Sequence, residues 1–164
     1  MTDTDTHDDQ GQKPQRHTVR ASQVEMTELV LPNDTNLLGN LLGGRLMHWM
    51  DIAMGIAASR HSSLVVVTAS VDRIDFHNPI NLGQVVVLRA SVNRVFRTSM
   101  EVGVKVYGED VLTGKRLHTN SAYMTFVGLN EKGHPTPSPQ VIPETDEERR
   151  RFEQALERRE RRIR

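Results

Sequence analysis

Four strand-like segments follow one another in the second half of the chain, and this succession constrains the fold more than any other feature. Together the segments are rich in Val, Thr and aromatic residues, and they alternate in part between apolar and polar residues, as half-buried strands do. They span residues 64–76, 84–96, 99–109 and 115–128. The connections are short and carry Pro, Gly, Asn or Asp, which suits antiparallel turns. The sequence therefore predicts an antiparallel meander.

One helix precedes this meander. Over residues 44–60 the apolar side chains recur at the spacing of a single helical face, namely Leu46, Met50, Ala53, Met54 and Ala57. A segment at about 18–31 reads as a first strand that Pro32 stops, and the Asn- and Gly-rich residues 33–44 predict a shaped loop. This order favours an α+β fold in which an antiparallel sheet wraps around one long central helix. Because one helix covers only one sheet face, we also expect dimerisation.

The length of 164 residues suits one folded domain with tails. We expect a disordered tail at 1–17, the domain at 18–130, a Pro-rich linker at 131–143 and a charged helix at 144–164. That helix is either an RNA- or partner-binding element or a solvated helix that docks weakly on its own oligomer. Its acids and arginines nearly balance, which favours the second interpretation.

Charge and composition exclude several classes of function. The 21 basic and 21 acidic side chains cancel, so no overall field attracts nucleic acid or an anionic membrane. The absence of cysteine excludes cysteine metal sites and a cysteine nucleophile, and suits a reducing, cytoplasmic location. No metal-ligand spacing is present, and the apolar runs are far shorter than the roughly 20 residues that span a bilayer.

Asp51 is the unusual residue of the helix. Between Leu37 and Ser59 the only charged side chains are Arg45 and Asp51, and Asp51 lies at the edge of the apolar face. One interpretation is a general base or nucleophile kept close to ligand and water. The other is an ordinary surface aspartate. The residues alone leave both open.

Gly43 and Gly44 immediately precede this helix. They can expose unpaired backbone N–H groups at its positive end, which would stabilise the oxyanion of acyl transfer. Close packing of the helix against the sheet is an equally simple reason for two glycines. The combination of exposed donors and an acid two turns further along is more specific than either part.

Several motifs carry a family resemblance. The stretch PNDTNLLGNLLGGRLMHWMD resembles the signature of hotdog-fold acyl-CoA thioesterases of the cytosolic acyl-CoA hydrolase and brown-fat-inducible type. The similarity continues through VVTASVDRIDFHNPINLGQVV and RTSMEVGVKVYGEDVLTG to AYMTFV, and covers about 28–128. It implies a hotdog fold, a homodimer that assembles as a trimer of dimers, and hydrolysis of acyl-CoA to fatty acid and coenzyme A. Coenzyme A is then part of the substrate, and no cofactor is expected.

The resemblance also implies a set of site residues. Asp51 and Asn36 would meet across the dimer interface, with Gly43 and Gly44 polarising the thioester carbonyl. Asp51 could act as base or as nucleophile. The expected contacts of coenzyme A are Thr68, Ala69, Ser70, His77, Arg94, Arg97, Thr98 and Ser99. Each basic residue among them could also be an ordinary surface charge, and His77 could be structural.

Two other functions compete with hydrolysis. A non-catalytic acyl-CoA binding or sensing protein would keep the pocket without turnover, although both the aspartate and the asparagine are present. A hotdog hydratase or dehydratase would need an Asp/His motif that is not evident. Leu42 stands where relatives often carry Phe or His, which affects the acyl pocket more than the chemistry.

Overall fold

The computed structural model describes residues 17–164, so the tail expected at 1–17 lies outside the described residues except for its last member. The elements are β1 (His17–Thr18), α1 (Val19–Ser22), β2 (Val24–Leu29), a 3-10 turn (Pro32–Asp34), α2 (Gly43–Ser62), β3 (Val65–Val71), β4 (Val85–Val95), β5 (Ser99–Glu109), β6 (Arg116–Leu129), β7 (Val141–Ile142) and α3 (Asp146–Arg162). The helix α2 and the strands β4, β5 and β6 lie where the sequence predicts them, but the predicted meander of four strands is wrong at β3, which pairs with β6 and not with β4.

Five strands form one antiparallel sheet in the order β2-β4-β5-β6-β3. Strands β4, β5 and β6 are long and joined by tight turns, and β3, which follows α2 in sequence, returns to pair with β6. The helix α2 packs on this sheet and contacts β4, β5 and β3 most extensively. The predicted α+β class, a sheet wrapped around one long helix, is confirmed.

The core lies between α2 and the sheet. The five helix positions predicted from the periodicity are each no more than 3% exposed. Trp49 and Ala58 on the same helix are also buried. Alanine at three of these buried positions lets the helix lie close to the strands, whose inward side chains are mostly Val, Leu and Met. The helix ends at Ser63, which adopts a left-handed conformation with φ of 58°.

The first predicted strand is wrong in its first half. Residues 19–22 form one helical turn, because the Thr18 hydroxyl accepts a hydrogen bond from the Ala21 N–H at 3.3 Å and caps it. Val19 and Ser22 are buried by this turn, so tertiary contact outweighs the extended tendency of the sequence. The regular strand begins only at Val24. Similarly, β3 ends at Val71, well before the predicted residue 76.

The C-terminal segments pack on the body of the domain. In the Pro-rich stretch, β7 pairs with β1, and the carbonyl oxygen of Pro139 lies 2.8 Å from Nε2 of the buried His61. The helix α3 begins with a capping box between Thr145 and Glu148 and lies against β4. Ala155 is fully buried there. The interpretation of α3 as a mainly solvated helix therefore underestimated its contact with its own sheet.

The two edges of the sheet differ in character. The β3 edge exposes apolar side chains, with Val65 71% and Val67 45% exposed. The β2 edge carries the charged residues Glu25 and Glu28. None of the helices in residues 17–164 combines the length and the apolar character needed to cross a membrane.

Candidate active site

Asp51 lies in the middle of α2 and points toward β3. It is half-buried, and its Oδ1 accepts a hydrogen bond from the Thr68 hydroxyl at 2.6 Å. The other carboxylate oxygen, Oδ2, has no hydrogen-bond partner within residues 17–164. An open groove of about 400 Å³ runs past this pair and is otherwise lined mainly by small and apolar side chains. The carboxylate is thus oriented through one oxygen while the other faces accessible space.

The start of α2 is uncapped. Leu42 is the N-cap residue and supplies no side-chain acceptor, so the first N–H groups of the helix keep their hydrogen-bonding capacity. A Cβ at Gly44 would meet nothing within 4 Å, and one at Gly43 would come only to 3.5 Å from the Phe76 ring. Tight packing against the sheet therefore does not account for either glycine. The open space leaves room for a ligand or a partner chain at the positive end of the helix.

Asn36 shapes the loop before α2. Its Oδ1 accepts hydrogen bonds from the backbone N–H groups of Leu38, at 2.9 Å, and Asn40, at 3.1 Å. Gly39, with φ of +77°, provides the left-handed residue that this turn needs. Because the side-chain oxygen is occupied, only the Nδ2 amino group of Asn36 is left to contact a ligand, and in the described part of the chain it donates to no residue.

One protomer does not bring Asn36 and Asp51 together. Asn36 lines a cavity of about 230 Å³ with Gly43, Phe76 and His77. Asp51 and Thr68 line the separate groove described above. The predicted catalytic residues therefore form two half-sites on one chain, and their meeting across an interface stays a prediction.

The expected contacts of coenzyme A fall into two groups. Thr68, Ala69 and Ser70 are exposed on β3, where the register with β6 shifts between Thr68 and Ser70 and leaves Ala69 as a bulge. Arg97, which is exposed, and Thr98 lie in the turn between β4 and β5, and Ser99 is the first residue of β5. These positions agree with accessible binding residues, but no contact in the structure tests them.

Arg94 is already engaged within the chain. Its guanidinium lies 4.0 Å from the centre of the Phe152 ring of α3, and its Nη1 donates to the Phe152 carbonyl oxygen at 3.1 Å. To bind a phosphate it would have to leave these contacts. His77 is exposed beside Phe76 in the Asn36 cavity, so the structure does not give it a buried structural role.

Sequence reasoning missed three features of the site. Thr68 was expected only as a contact of coenzyme A, and the hydrogen bond from its hydroxyl to Asp51 was not foreseen. The salt bridge between Arg45 and Asp34, at 3.2 Å, joins the first turn of α2 to the loop before it. The buried Asn120 donates to the backbone oxygen of Asp75 and so fixes the segment after β3. Of these three features, only the Asp34/Arg45 salt bridge was hinted at by the sequence, because Arg45 is the only charged residue besides Asp51 between Leu37 and Ser59.

The candidate site offers the groups that acyl transfer uses. Within residues 17–164 no cluster of three or more His, Asp or Glu side chains suited to a metal ion is present. What the structure offers is a positioned carboxylate, a free amide donor and an uncapped helix start. Such groups can activate water and stabilise a developing oxyanion.

Comparison with known proteins adds independent findings. The family model described as "Thioesterase superfamily" matches residues 38–115. The chain is 41% identical over 143 residues to the cytosolic acyl coenzyme A thioester hydrolase of Rattus norvegicus, covering 86% of this chain but only 38% of the relative. The chain thus spans well under half of that relative's length.

Two solved structures match over nearly their whole length. An apo-hexameric acyl-CoA thioesterase has a TM-score of 0.88 at 41% identity and is covered to 96%, with 91% of this chain matched. An acyl-CoA hydrolase from Staphylococcus aureus, solved with butyryl coenzyme A, coenzyme A and coenzyme A disulfide, has a TM-score of 0.86 at 36% identity, with 91% of each chain covered.

Proposed function

The chain belongs to the thioesterase superfamily, and on that premise we propose that it hydrolyses acyl-CoA to a free carboxylic acid and coenzyme A. The observation that carries this proposal is the Asp51 carboxylate, held through Oδ1 by Thr68 and open at Oδ2. The similarity to an S. aureus hydrolase solved with butyryl coenzyme A and coenzyme A supports the substrate class. A protein that only binds acyl-CoA would not need an oriented carboxylate beside an uncapped helix.

Asp51 acts on water in this mechanism. Its Oδ2 accepts a proton from a water molecule as the water oxygen attacks the thioester carbonyl carbon. The carbon–sulfur bond then breaks and coenzyme A leaves as a thiolate, which takes up a proton. The thiolate is a good leaving group, so a strong general acid is not required, and we propose that no metal or cofactor takes part.

Asn36 serves as a hydrogen-bond donor. Because its Oδ1 is occupied by the loop, it can present only Nδ2 to the substrate, which suits the thioester oxygen or the lone pair of the attacking water. The N–H groups at Gly43 and Gly44 add donors at the positive end of α2. Together they would stabilise the negative charge that develops on the carbonyl oxygen.

We propose that two protomers share each site. The apolar, exposed edge of β3 suits antiparallel pairing with the same strand of a second copy, which would bury Val65 and Val67. The half-sites described above would then be joined, since each protomer lacks a complete one. We further propose a trimer of dimers, in keeping with the hexameric relative, and a cytoplasmic location, in keeping with the cytosolic rat relative.

A thiol-release assay over a panel of acyl-CoA chain lengths tests the activity. We expect turnover by the wild type and a loss on the order of 10²-fold or more in kcat for Asp51→Asn, because the carboxamide cannot accept the proton. Absence of turnover with every chain length, or full activity of Asp51→Asn, would contradict the proposal.

Mixed oligomers test the shared site. Asp51→Asn and Asn36→Ala chains are purified separately and then co-refolded or co-expressed. If each site takes one residue from each protomer, half of the dimers are mixed and carry one intact site, so about a quarter of wild-type activity returns. A site within one protomer would give no recovery.

Single-turnover hydrolysis in H₂¹⁸O separates the two roles of Asp51. General-base catalysis delivers ¹⁸O to the product acid in the first turnover. Attack by Asp51 itself expels the thiolate and forms an anhydride; water attack on the aspartyl carbon of this anhydride then releases a first product that carries an unlabelled protein oxygen. We expect the label in the product.

A further inference from the structure

The strand that carries Thr68 is weakly fixed at one end. Before the bulge, β3 pairs with β6 over four residues, from Val65 to Thr68. Beyond Ala69 only Ser70 and Val71 remain in register, followed by one hydrogen bond from the Asp72 N–H to the Tyr123 carbonyl oxygen at 3.0 Å. As an edge strand, β3 has no second neighbouring strand among residues 17–164 to hold it.

Pairing beyond Thr68 matters because of the bulge. The bulge leaves Ala69 outside the ladder, so the pairing of Thr68 is continued on that side only by the residues that follow Ala69. If residues 70–72 left the ladder, Thr68 would become the last paired residue of the strand and would be free to turn away from α2. The 2.6 Å hydrogen bond to Asp51 would then be lost.

The C-terminal helix anchors the weak end. Nη1 of Arg162 lies 2.9 Å from both carboxylate oxygens of Asp72, the residue that directly follows β3. The two side chains are only 23% and 18% exposed, so solvent screens the pair less than a surface salt bridge. The same Arg162 nitrogen is 3.5 Å from Oε2 of the fully buried Glu101.

A second arginine of α3 holds the partner strand. Arg158 donates to both carboxylate oxygens of Glu101 on β5, and its guanidinium lies 3.7 Å from the centre of the Tyr123 ring on β6. Tyr123 is the residue whose carbonyl oxygen accepts from Asp72. The helix thus contacts both residues of the last hydrogen bond between β3 and β6.

We propose that Arg162 is a positioning residue for the active site: its ion pair with Asp72 keeps residues 70–72 paired with β6 and thereby keeps Thr68, just before the bulge, on Asp51. Arg162 touches no reacting group itself. This positioning role is separate from the docking of α3 on the sheet. Arg158 and Ala155 maintain that docking without the ion pair between Arg162 and Asp72. The kinetic consequence rests on the proposed hydrolysis, whereas the structural one does not.

Hydrogen exchange tests this pairing directly. In Arg162→Met we expect the amides of residues 70–72 to exchange at least tenfold faster than in wild type, because their hydrogen bonds open locally. Arg161→Met is the matched control, since Arg161 is 74% exposed and reaches only Glu157, at 3.9 Å. Unchanged exchange at 70–72 in Arg162→Met would overturn the proposal, whether or not the protein is a hydrolase.

Kinetics test the link to catalysis. We expect Arg162→Met and Asp72→Asn each to lower kcat about tenfold with KM within about twofold, because a displaced catalytic group impairs chemistry more than binding. The double variant should be no slower than either single variant, and Arg162→Lys should recover most of the rate. Asp72→Asn leaves α3 intact, so it separates positioning from helix docking.

The outcomes distinguish the two proposals. Faster exchange together with a lower kcat supports positioning of Thr68. Unchanged kcat in both single variants, measured at a temperature where circular dichroism shows them folded, refutes it. If the wild type hydrolyses no acyl-CoA, the proposed function fails, and the exchange experiment still decides whether Arg162 keeps residues 70–72 paired with β6.

Discussion

The buried carboxylate of Glu101 allows a quantitative prediction about stability. Glu101 is 0% exposed, and Arg158, 17% exposed, makes its shortest contact at 2.7 Å. Burial alone disfavours the charged guanidinium, but hydrogen bonds and attraction to Glu101 outweigh this and hold the pKa of Arg158 above its ordinary value. The guanidinium is therefore held in its charged form beside the Glu101 carboxylate, and neither side chain can lose its partner without cost.

Arg158→Met removes the cation and leaves the carboxylate buried. Breaking a buried ion pair on one side costs about 3–5 kcal/mol. The Nδ2 of Asn93 at 3.0 Å and Arg162 at 3.5 Å still face Glu101 and offset part of this, so we expect about 3 kcal/mol. Glu101→Gln should cost less, about 2 kcal/mol, because the stranded Arg158 can reach solvent.

Urea unfolding followed by circular dichroism, at one fixed protein concentration because the chain is expected to oligomerise, measures these losses. The double variant Glu101→Gln/Arg158→Met should be less destabilised than the sum of the single variants by about 1–3 kcal/mol, since it leaves no unpaired charge. A loss below about 1 kcal/mol in Arg158→Met, or strict additivity, would show that the pair behaves like an ordinary surface salt bridge.

Three further experiments address other parts of the fold. Burial lowers the pKa of His61 from its ordinary value of 6.5. Below pH 6.5 the unfolded chain therefore binds a proton more readily than the folded chain, so we expect the free energy of unfolding to fall with decreasing pH. His61→Gln should flatten that slope in urea titrations. Gly39→Ala, at φ of +77°, should cost about 1–2 kcal/mol and lower kcat by distorting the catalytic loop. Gly114→Ala, at φ of +72° in a distant turn, should cost the same stability with unchanged kcat. Val67→Lys should give a monomer without activity by light scattering and thiol release, while Thr27→Lys on the β2 edge should remain oligomeric and active.

The sequence predicts the elements of this fold well because their signals are local. Periodicity places α2 to within a residue or two at each end, and its five predicted core positions are buried. Strands β4, β5 and β6 are similarly marked by Val-rich runs and short turns. The capped turn at 19–22 escapes prediction because Thr18 makes a single local hydrogen bond that the extended pattern does not reveal.

The site is less accessible to sequence reasoning because its contacts are distant along the chain. The Thr68–Asp51 hydrogen bond joins residues 17 apart, and Arg162 meets Asp72 across 90 residues. The helix pattern singled out Asp51 but left it open to two interpretations, and Asn36 was proposed only through family resemblance. No pattern within β3 announces the bulge at Ala69, which follows from pairing with β6.

The unequal edges of the sheet bear on aggregation. Fibrils grow when each added chain leaves a fresh adhesive edge for the next. Here β3 is apolar while β2 carries Glu25 and Glu28. Edge-to-edge pairing of β3 in one chain with β2 in the next would therefore place valines beside carboxylates. Two β3 edges that meet consume the adhesive surface of both chains at once. In the proposed dimer, strand addition would thereby be self-terminating, and the chain could keep an exposed Val-rich strand for assembly without the hazard of open-ended polymerisation.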